Sequence, residues 1–486
     1  MPAGLRPDAI VHQALGLVRW SQQATGGQSF TFQVPGTGAD GYVYDPGGRL
    51  TDSWYPTGRH LTYGYDAAMR PNSVAGYVTS VTYIPSGAPQ QMILANGVAE
   101  NTSYNSVLQI TAIEADLANS SLWKVENFYC ANQGSGCSTN NGNVISQRLT
   151  LPTPSGGSQQ MITSYGYDGV NRLNSVGEAV TGQTGSAGNW SWTFSADQFG
   201  NLWSTGANPD VGSLMPQDSS YFDPTTNHLV RYGARGSSSP YGTALQTNVS
   251  DPAYPYDQAG NLKYHPDVGQ VVFDGENHVV QVTDGANVAQ YDYDGEGRRI
   301  RKTVGTVTTV YVYDAGGNLA VEYSQGGSQE TGRRYLTADH LGSTRLVTND
   351  SGVVRQRIDY FPFGQEIPAS EAFGNRDQVT GYTDTTGLPH QSATQEFTGK
   401  ERDAETGLDW FESRYFASAQ GRFTSPDAPL VGQDRNNPQS WNLYAYGLNN
   451  PLRYADPSGH DPEEPGDSSQ DVDCGKNGKD CGPTYH

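Results

Sequence analysis

The segment Tyr291-Asp292-Tyr293-Asp294 is followed by Gly297 and Arg298. Twenty residues on, Tyr311-Val312-Tyr313-Asp314 is followed by Gly317, Asn318 and Leu319. The same Y-x-Y-D signature begins at Tyr42, Tyr63, Tyr165 and Tyr254, so the chain holds six copies. Degenerate copies stand at Phe273-Asp274 and at Phe194 with Asp197-Gln198-Phe199-Gly200-Asn201-Leu202. Asp274, Asp294 and Asp314 are spaced by 20 residues, Asp45 and Asp66 by 21. A fixed period of this size marks a repeat architecture, and missing it would misread the whole fold.

The physics of one unit is local. Tyrosines at i and i+2 share one face of a strand. Asp at the first turn position with Gly three residues later, as at Gly48, Gly260, Gly297 and Gly317, is the preference of a type I turn. Asn171 takes the glycine place after Asp168, and Met69 breaks the rule after Asp66. Arg or Asn follows, at Arg49, Arg70, Arg172, Asn261, Arg298 and Asn318, and an aliphatic residue such as Leu50, Leu173, Leu262 or Leu319 opens the next strand. Twenty residues hold two strands of roughly six to eight residues with their turns. A lone hairpin is unstable in water, so successive hairpins must pair sideways into an antiparallel sheet that twists and curls. The tyrosines read as packing residues. The stretches 105–160 and 175–250 are polar and hold fewer clear units, and read as decayed units or surface elaborations.

Composition agrees. Of 486 residues 35% are hydrophobic and 16% charged; 59 are Gly, and Tyr (30) outnumbers Phe (14) and Trp (8) together. This is the balance of a turn-rich β protein and not of a helical bundle. The net charge of −21 argues against nucleic acid or an anionic membrane as partner. No apolar run approaches a membrane span, and the first twenty residues lack the basic-then-apolar order of a secretion signal. The reading is therefore the C-terminal part of a longer, exported or surface-displayed chain. Cys130/Cys137 and Cys474/Cys481 form two local pairs, too widely spaced for a zinc knuckle. Two local disulfides and four free thiols both remain open. No G-x-S-x-G, H-E-x-x-H, phosphate-loop or dinucleotide motif occurs, and neither a cofactor nor a metal is expected.

An ordered series of motifs then fills the last third. It runs from Asp339-His340-Leu341-Gly342-Ser343-Thr344-Arg345 through Tyr360-Phe361-Pro362-Phe363-Gly364 and Phe397-Thr398-Gly399-Lys400-Glu401-Arg402-Asp403. Arg414-Tyr415-Phe416, Gly421-Arg422-Phe423-Thr424-Ser425-Pro426-Asp427, Asn442-Leu443-Tyr444-Ala445-Tyr446 and Asp456-Pro457-Ser458-Gly459 complete it. With the repeats, this series resembles the Rhs/YD-repeat proteins and the related teneurin shell domains. The resemblance implies an all-β fold in which YD-repeat hairpins wind into a spiral β shell, closed by a C-terminal Rhs core segment. It divides the chain into a shell at 1–336, a core segment at 337–460 and a short acidic tail at 461–486.

The resemblance also implies a function. Such shells encapsulate or present a variable C-terminal segment, their cargo, and release it by an aspartate-type self-cleavage after the D-P-x-G end motif. This would make the chain at most a single-turnover autoprotease. An upstream repeat or secretion component and an immunity protein are the further partners implied. The positions matching the family's catalytic residues are Arg414, Asp427 and Asp456, with cleavage expected near Gly459, His460 and Asp461. The chemistry is coherent, because carboxyl-based hydrolysis needs one acid to activate water and another to protonate the leaving group. Two adjacent carboxyls repel, so one keeps its proton, and an arginine steadies the pair. His460 stands where the family has an apolar residue, which is expected to slow cleavage; Ala417-Ser418 replaces the family's Asp-Pro.

The competing reading is a surface adhesion or glycan-binding protein without proteolytic activity, resting on Trp190, Trp192 and Trp203 as exposed aromatics. Asp339-His340 reads as a turn-stabilising pair, and Lys400 to Asp403 as a solvated or salt-bridged turn. The tail holds too few aliphatic residues to build a core of its own.

Overall fold

The structure, a computed structural model, describes residues 9–13, 16–130, 139–153, 156–181, 188–205, 215–230, 255–265, 268–326, 332–382, 393–429, 433–434 and 437–464. Cys137, Cys474, Cys481 and most of the acidic tail lie outside them. Cys130 is disulfide-bonded. The described residues form antiparallel strands and short 3-10 turns, with no helix long and apolar enough to cross a membrane.

Two compact units are present. One is built from the described residues of Met1–Ala99 and Asn287–Thr331, the other from those of Glu100–Ala286 and Gly332–Asp467. The closing segment and the middle repeats therefore share one unit. In the first unit the strands from Tyr42–Tyr44 to Pro89–Leu94 pair in chain order, as do those from Asn287–Tyr293 to Leu319–Gln325. Its core holds Phe30, Phe32, Tyr42, Val310 and Val312. In the second unit the strands from Ile110–Leu117 to Leu202–Thr205 pair in chain order. Ser120–Phe128, Ser146–Pro152 and Ser158–Tyr167 are rungs of that ladder, so the described part of the first polar stretch consists of repeat strands whose signature has decayed. Residues 182–187, 206–214 and 231–250 of the second stretch are not among those described.

Each repeat turn is closed by its aspartate. Asp45 Oδ1 accepts the N–H groups of Gly47 at 2.8 Å and Arg49 at 3.0 Å, while Gly48 N donates to the Asp45 carbonyl at 3.0 Å. Gly48 sits at φ +82°, the left-handed position that follows a type I turn in a bulged hairpin. The pairing register slips at the second tyrosine of the repeat, at Tyr44, Tyr65, Tyr167, Tyr293 and Tyr313. The recurring arginine pairs with the capping aspartate, Nε to Oδ2, at 2.6 Å for Arg49, 2.8 Å for Arg70 and 2.7 Å for Arg298. It also lies over the second tyrosine of the following repeat: Arg49 over Tyr65, Arg70 over Tyr83 and Arg298 over Tyr313. That tyrosine's hydroxyl donates to a backbone carbonyl of the hairpin before, Tyr65 to Leu50 at 2.7 Å and Tyr313 to Arg299 at 2.9 Å. Where Arg49, Arg70 and Arg298 stand, the unit is thus tied to its neighbour by a cation over a ring and by a hydroxyl on a carbonyl.

Met69 fills the glycine position of its turn at φ +66° and is 70% exposed. A side chain there strains the backbone by about 1–2 kcal/mol and buries little in return. Met69→Gly is expected to stabilise the first unit by about 0.5–1 kcal/mol, read as a higher urea midpoint at unchanged slope.

The core of the second unit is aromatic. The strand Trp190–Ala196 alternates buried and exposed residues and turns Trp190, Trp192 and Phe194 inward. Phe361 meets Trp190 at 5.0 Å between ring centroids, and Phe363 meets Phe194 at 5.9 Å, both edge-on. Behind them Phe397, Phe411, Phe416, Phe423 and Tyr446 form a second layer, with Phe416 and Tyr446 at 4.6 Å. Edge-to-face contacts of this kind favour a specific arrangement of rings. Trp190 and Trp192 are buried and Trp203 packs against Tyr221, Phe222 and Leu229. This corrects their reading as exposed aromatics and removes the basis of the glycan-binding alternative.

Candidate self-cleavage site

Arg414 opens the strand Arg414–Ala417, which pairs with Leu408–Phe411 through the two-residue turn at Glu412 and Ser413. All four residues of each strand are buried, so Arg414 enters the interior where polar partners must compensate it. Its guanidinium lies 3.7 Å over the Phe423 ring, donates from NH1 to the Leu443 carbonyl at 2.8 Å and from Nε to the Gly459 carbonyl. The remaining NH2 group faces two carboxylates, Asp427 Oδ2 at 3.3 Å and Asp456 Oδ2 at 3.5 Å. Burial pulls Arg414 below the ordinary arginine range, opposed by Asp427, Asp456 and Asp461.

Asp427 is placed by backbone pairing. Phe423 N donates to the Tyr444 carbonyl, and Asp427 N to the Leu443 carbonyl, both at 2.9 Å. One carbonyl, that of Leu443, therefore holds both Asp427 and Arg414. Asp427 Oδ1 accepts Ala428 N–H at 2.7 Å and lies 2.6 Å from His460 Nδ1. Asp456 belongs to a loop whose ends are clasped by Ala455 and Glu463, each N–H donating to the other's carbonyl at 2.9 and 2.7 Å. Burial pushes Asp456 up to about 6, with Arg414 pulling it down and Asp427 raising it further. Its Oδ1 is buried and, among the described residues, has no hydrogen-bond partner.

Gly459 turns the loop at φ +77°, and a Cβ there would lie 2.3 Å from the Phe411 carbonyl oxygen. Ser413 Oγ donates to the Ser458 carbonyl at 2.8 Å, and Lys400 Nζ donates to the Pro457 carbonyl and to Glu412 at 2.8 Å. The loop is thus pressed against the hairpin that carries Arg414. Asp461 is exposed. A cleft open to solvent borders Arg414, Asp427, Asp456 and His460.

The structure brings Arg414, Asp427 and Asp456 together, with Gly459 and His460 touching the group. It places the His460 ring on Asp427, at the position where the resemblance implied an apolar residue. The carbonyls of Leu443 and Phe411 had no signal in the sequence, since backbone groups carry none, and Ser413 lies in no motif that marks its hydroxyl. Elsewhere Asp339 caps its turn by accepting Leu341 N–H and Ser343 N–H, while His340 is buried against the Leu452 carbonyl. Glu401–Asp403 is a buried strand and not a turn, so the solvated reading fails, while the salt-bridged one holds: Arg402 pairs there with Asp409 and Glu396. Among the described residues Asp274, Glu276 and His278 stand close enough to share a cation. Asp274, however, is occupied as a repeat cap, accepting Glu276 N–H and His278 N–H.

Ladders of aspartate-capped tyrosine hairpins, with an aromatic closing segment in the core of the second unit, define an all-β repeat protein. Residues 304–452 match the family model described as Teneurin YD-shell. Over that segment the chain is similar to the Rhs/YD-repeat proteins. Over 121 residues it is 33% identical to toxin subunit YenC2 of Yersinia entomophaga, covering 25% of this chain and 10% of that protein. It shares the fold of the crystal structure of TcdB2-TccC3-Cdc42, with a TM-score of 0.64 and 20% identity over 92% of this chain and 23% of that one. The crystal structure of TcdB2-TccC3 without hypervariable C-terminal region gives a TM-score of 0.62, with 20% identity over 92% of this chain and 23% of that one. The chain spans 3% to 10% of the length of the curated relatives it matches.

Proposed function

We propose that this chain is the shell part of a secreted toxin-type protein, that it encloses or presents its own C-terminal segment, and that it frees that segment by one self-cleavage between Gly459 and Asp461. The observation that carries the reading is the buried trio: two carboxyls on one guanidinium, beside the Gly459–His460 loop. Asp456 keeps a proton into the neutral range because its charge is desolvated, so it is placed to donate to the departing amide nitrogen. Asp427 takes a proton from water, the water oxygen bonds the peptide carbonyl carbon, and the C–N bond breaks to leave a carboxyl and an amine. Arg414, already donating to the Gly459 carbonyl, steadies charge developing on a peptide oxygen of this loop. A payload segment is supported by the solved relative whose C-terminal region is called hypervariable. An upstream component of the same toxin and an immunity protein are the partners this reading calls for.

Intact-mass measurement of the purified chain tests it. Wild type is expected to lose 26 or 27 residues (486 − 460 or 486 − 459) over hours to days, while Asp427→Asn stays whole. Because Asp456 must be protonated, and titrates at about 6, the rate is expected to fall roughly ten-fold per pH unit above about pH 7. A mass that stays whole for days in wild type and in the His460→Leu chain alike would overturn the reading.

A further inference from the structure

The contact between His460 and Asp427 takes no part in activating water or in protonating the leaving group. His460 Nδ1 stands 2.6 Å from Asp427 Oδ1, and the imidazole side chain is 34% exposed at the rim of the cleft. The same Oδ1 accepts Ala428 N–H, and Oδ2 faces the Arg414 guanidinium. Both oxygens of Asp427 are therefore engaged, whereas Asp456 Oδ1 has no partner among the described residues. A carboxylate can take a proton from water only through a lone pair that is free to receive it. Of the groups on Asp427, the Ala428 amide is fixed in the chain beside it and Arg414 is anchored by Leu443 and Gly459. Of the two side chains on Asp427 the imidazole is the more exposed, at 34% against 5% for Arg414. It belongs to the residue that contributes to both peptide bonds of the Gly459–Asp461 segment, so the strand to be cut occupies the group that would cut it.

We propose that His460 is a built-in restraint on scission: its Nδ1–H caps Asp427 Oδ1 and must leave before Asp427 can activate water. This rests on the proteolytic reading and deepens it, and makes His460 a residue acting through Asp427. Displacement of the downstream segment, which begins at the next residue, is the event that lifts the restraint.

Two substitutions separate the hydrogen bond from mere packing. Asn carries Nδ2 where His carries Nδ1, so His460→Asn retains a donor to Oδ1. His460→Leu keeps bulk and removes the donor. Followed by intact mass at pH 6, His460→Leu is expected to cleave about ten-fold or more faster than wild type, and His460→Asn within about three-fold of it, because a hydrogen bond to a carboxylate no longer has to be broken only in the first. Equal rates for His460→Leu and wild type, or His460→Asn as fast as His460→Leu, would overturn the restraint and leave self-cleavage standing. No cut in any of the three chains would overturn both.

Discussion

Arg376→Met is expected to destabilise the second unit by about 4 kcal/mol, the cost of removing one partner from a fully buried ion network. Arg376 is 1% exposed and holds Glu178 with two parallel bonds, NH1 to Oε1 at 2.7 Å and NH2 to Oε2 at 2.8 Å, while its Nε donates to Asp359 at 2.6 Å. Asp359 also accepts from Arg345 and from the Tyr382 hydroxyl, and Arg345 reaches Asp339 at 3.1 Å. Burial alone would raise the Asp359 carboxyl, but Arg376 and Arg345 hold it well below the usual carboxylate range. Removing Arg376 strands Glu178 on the strand Leu173–Val180, with only the Trp190 indole N–H at 3.0 Å and the Thr163 hydroxyl at 3.3 Å still donating to it among the described residues. Charge without compensation in a dry site is the larger part of the penalty. The measurement is the urea midpoint of the unit's transition. Adding Glu178→Gln to Arg376→Met should recover part of the loss, because the stranded charge is gone. A double variant no better than the single would show that the network contributes through packing alone.

Asp456→Asn is expected to slow scission at least a hundred-fold, since the amide cannot donate a proton as an acid does. A structural aspartate would behave differently in one further respect. The folded chain raises Asp456 to about 6 from an unfolded value near 3.8. Its charged form is therefore disfavoured by folding, a cost absent below the unfolded value and growing as pH rises through the folded one. At pH 8 the amide avoids that cost, so Asp456→Asn should be as stable as wild type or more so, by on the order of 2 kcal/mol. At pH 4 that advantage should vanish. Lost scission with retained or increased stability at pH 8 marks a group held in an unfavourable state for its chemistry. A variant that is both uncut and less stable at pH 8 would assign Asp456 to the framework instead.

The repeat was legible because its determinants are neighbours in the chain. Asp45 and Gly48 lie within one turn, so the spacing of residue types already states the geometry. The recurrence of Arg or Asn after the glycine was equally visible, but not its purpose. That requires the next hairpin, where Tyr65 comes under Arg49. The polar stretch at 105–160 hid its strands because few positions are fully buried: in Ser146–Pro152 these are Leu149 and Leu151. Hydrophobic alternation is too short there to register. The charged run from Lys400 to Asp403 misled for the opposite reason, since its partners Asp409, Glu396 and Tyr415 lie in other segments of the closing region.

The site divides in the same way. Arg414, Asp427 and Asp456 were assigned through motif order alone; nothing in Ser-Pro-Asp or Asp-Pro-Ser-Gly announces an acid of altered strength. Hairpin identity, turn type and strand polarity follow from contacts within about four residues, and the amino-acid order suffices for them. The shared guanidinium, the desolvation that raises Asp456 and the imidazole on Asp427 all depend on carboxyls 29 positions apart (456 − 427) meeting at the Leu443 carbonyl and the Ala455–Glu463 clasp. Electrostatic strength is set by distance and water exclusion, which exist only once those segments have packed.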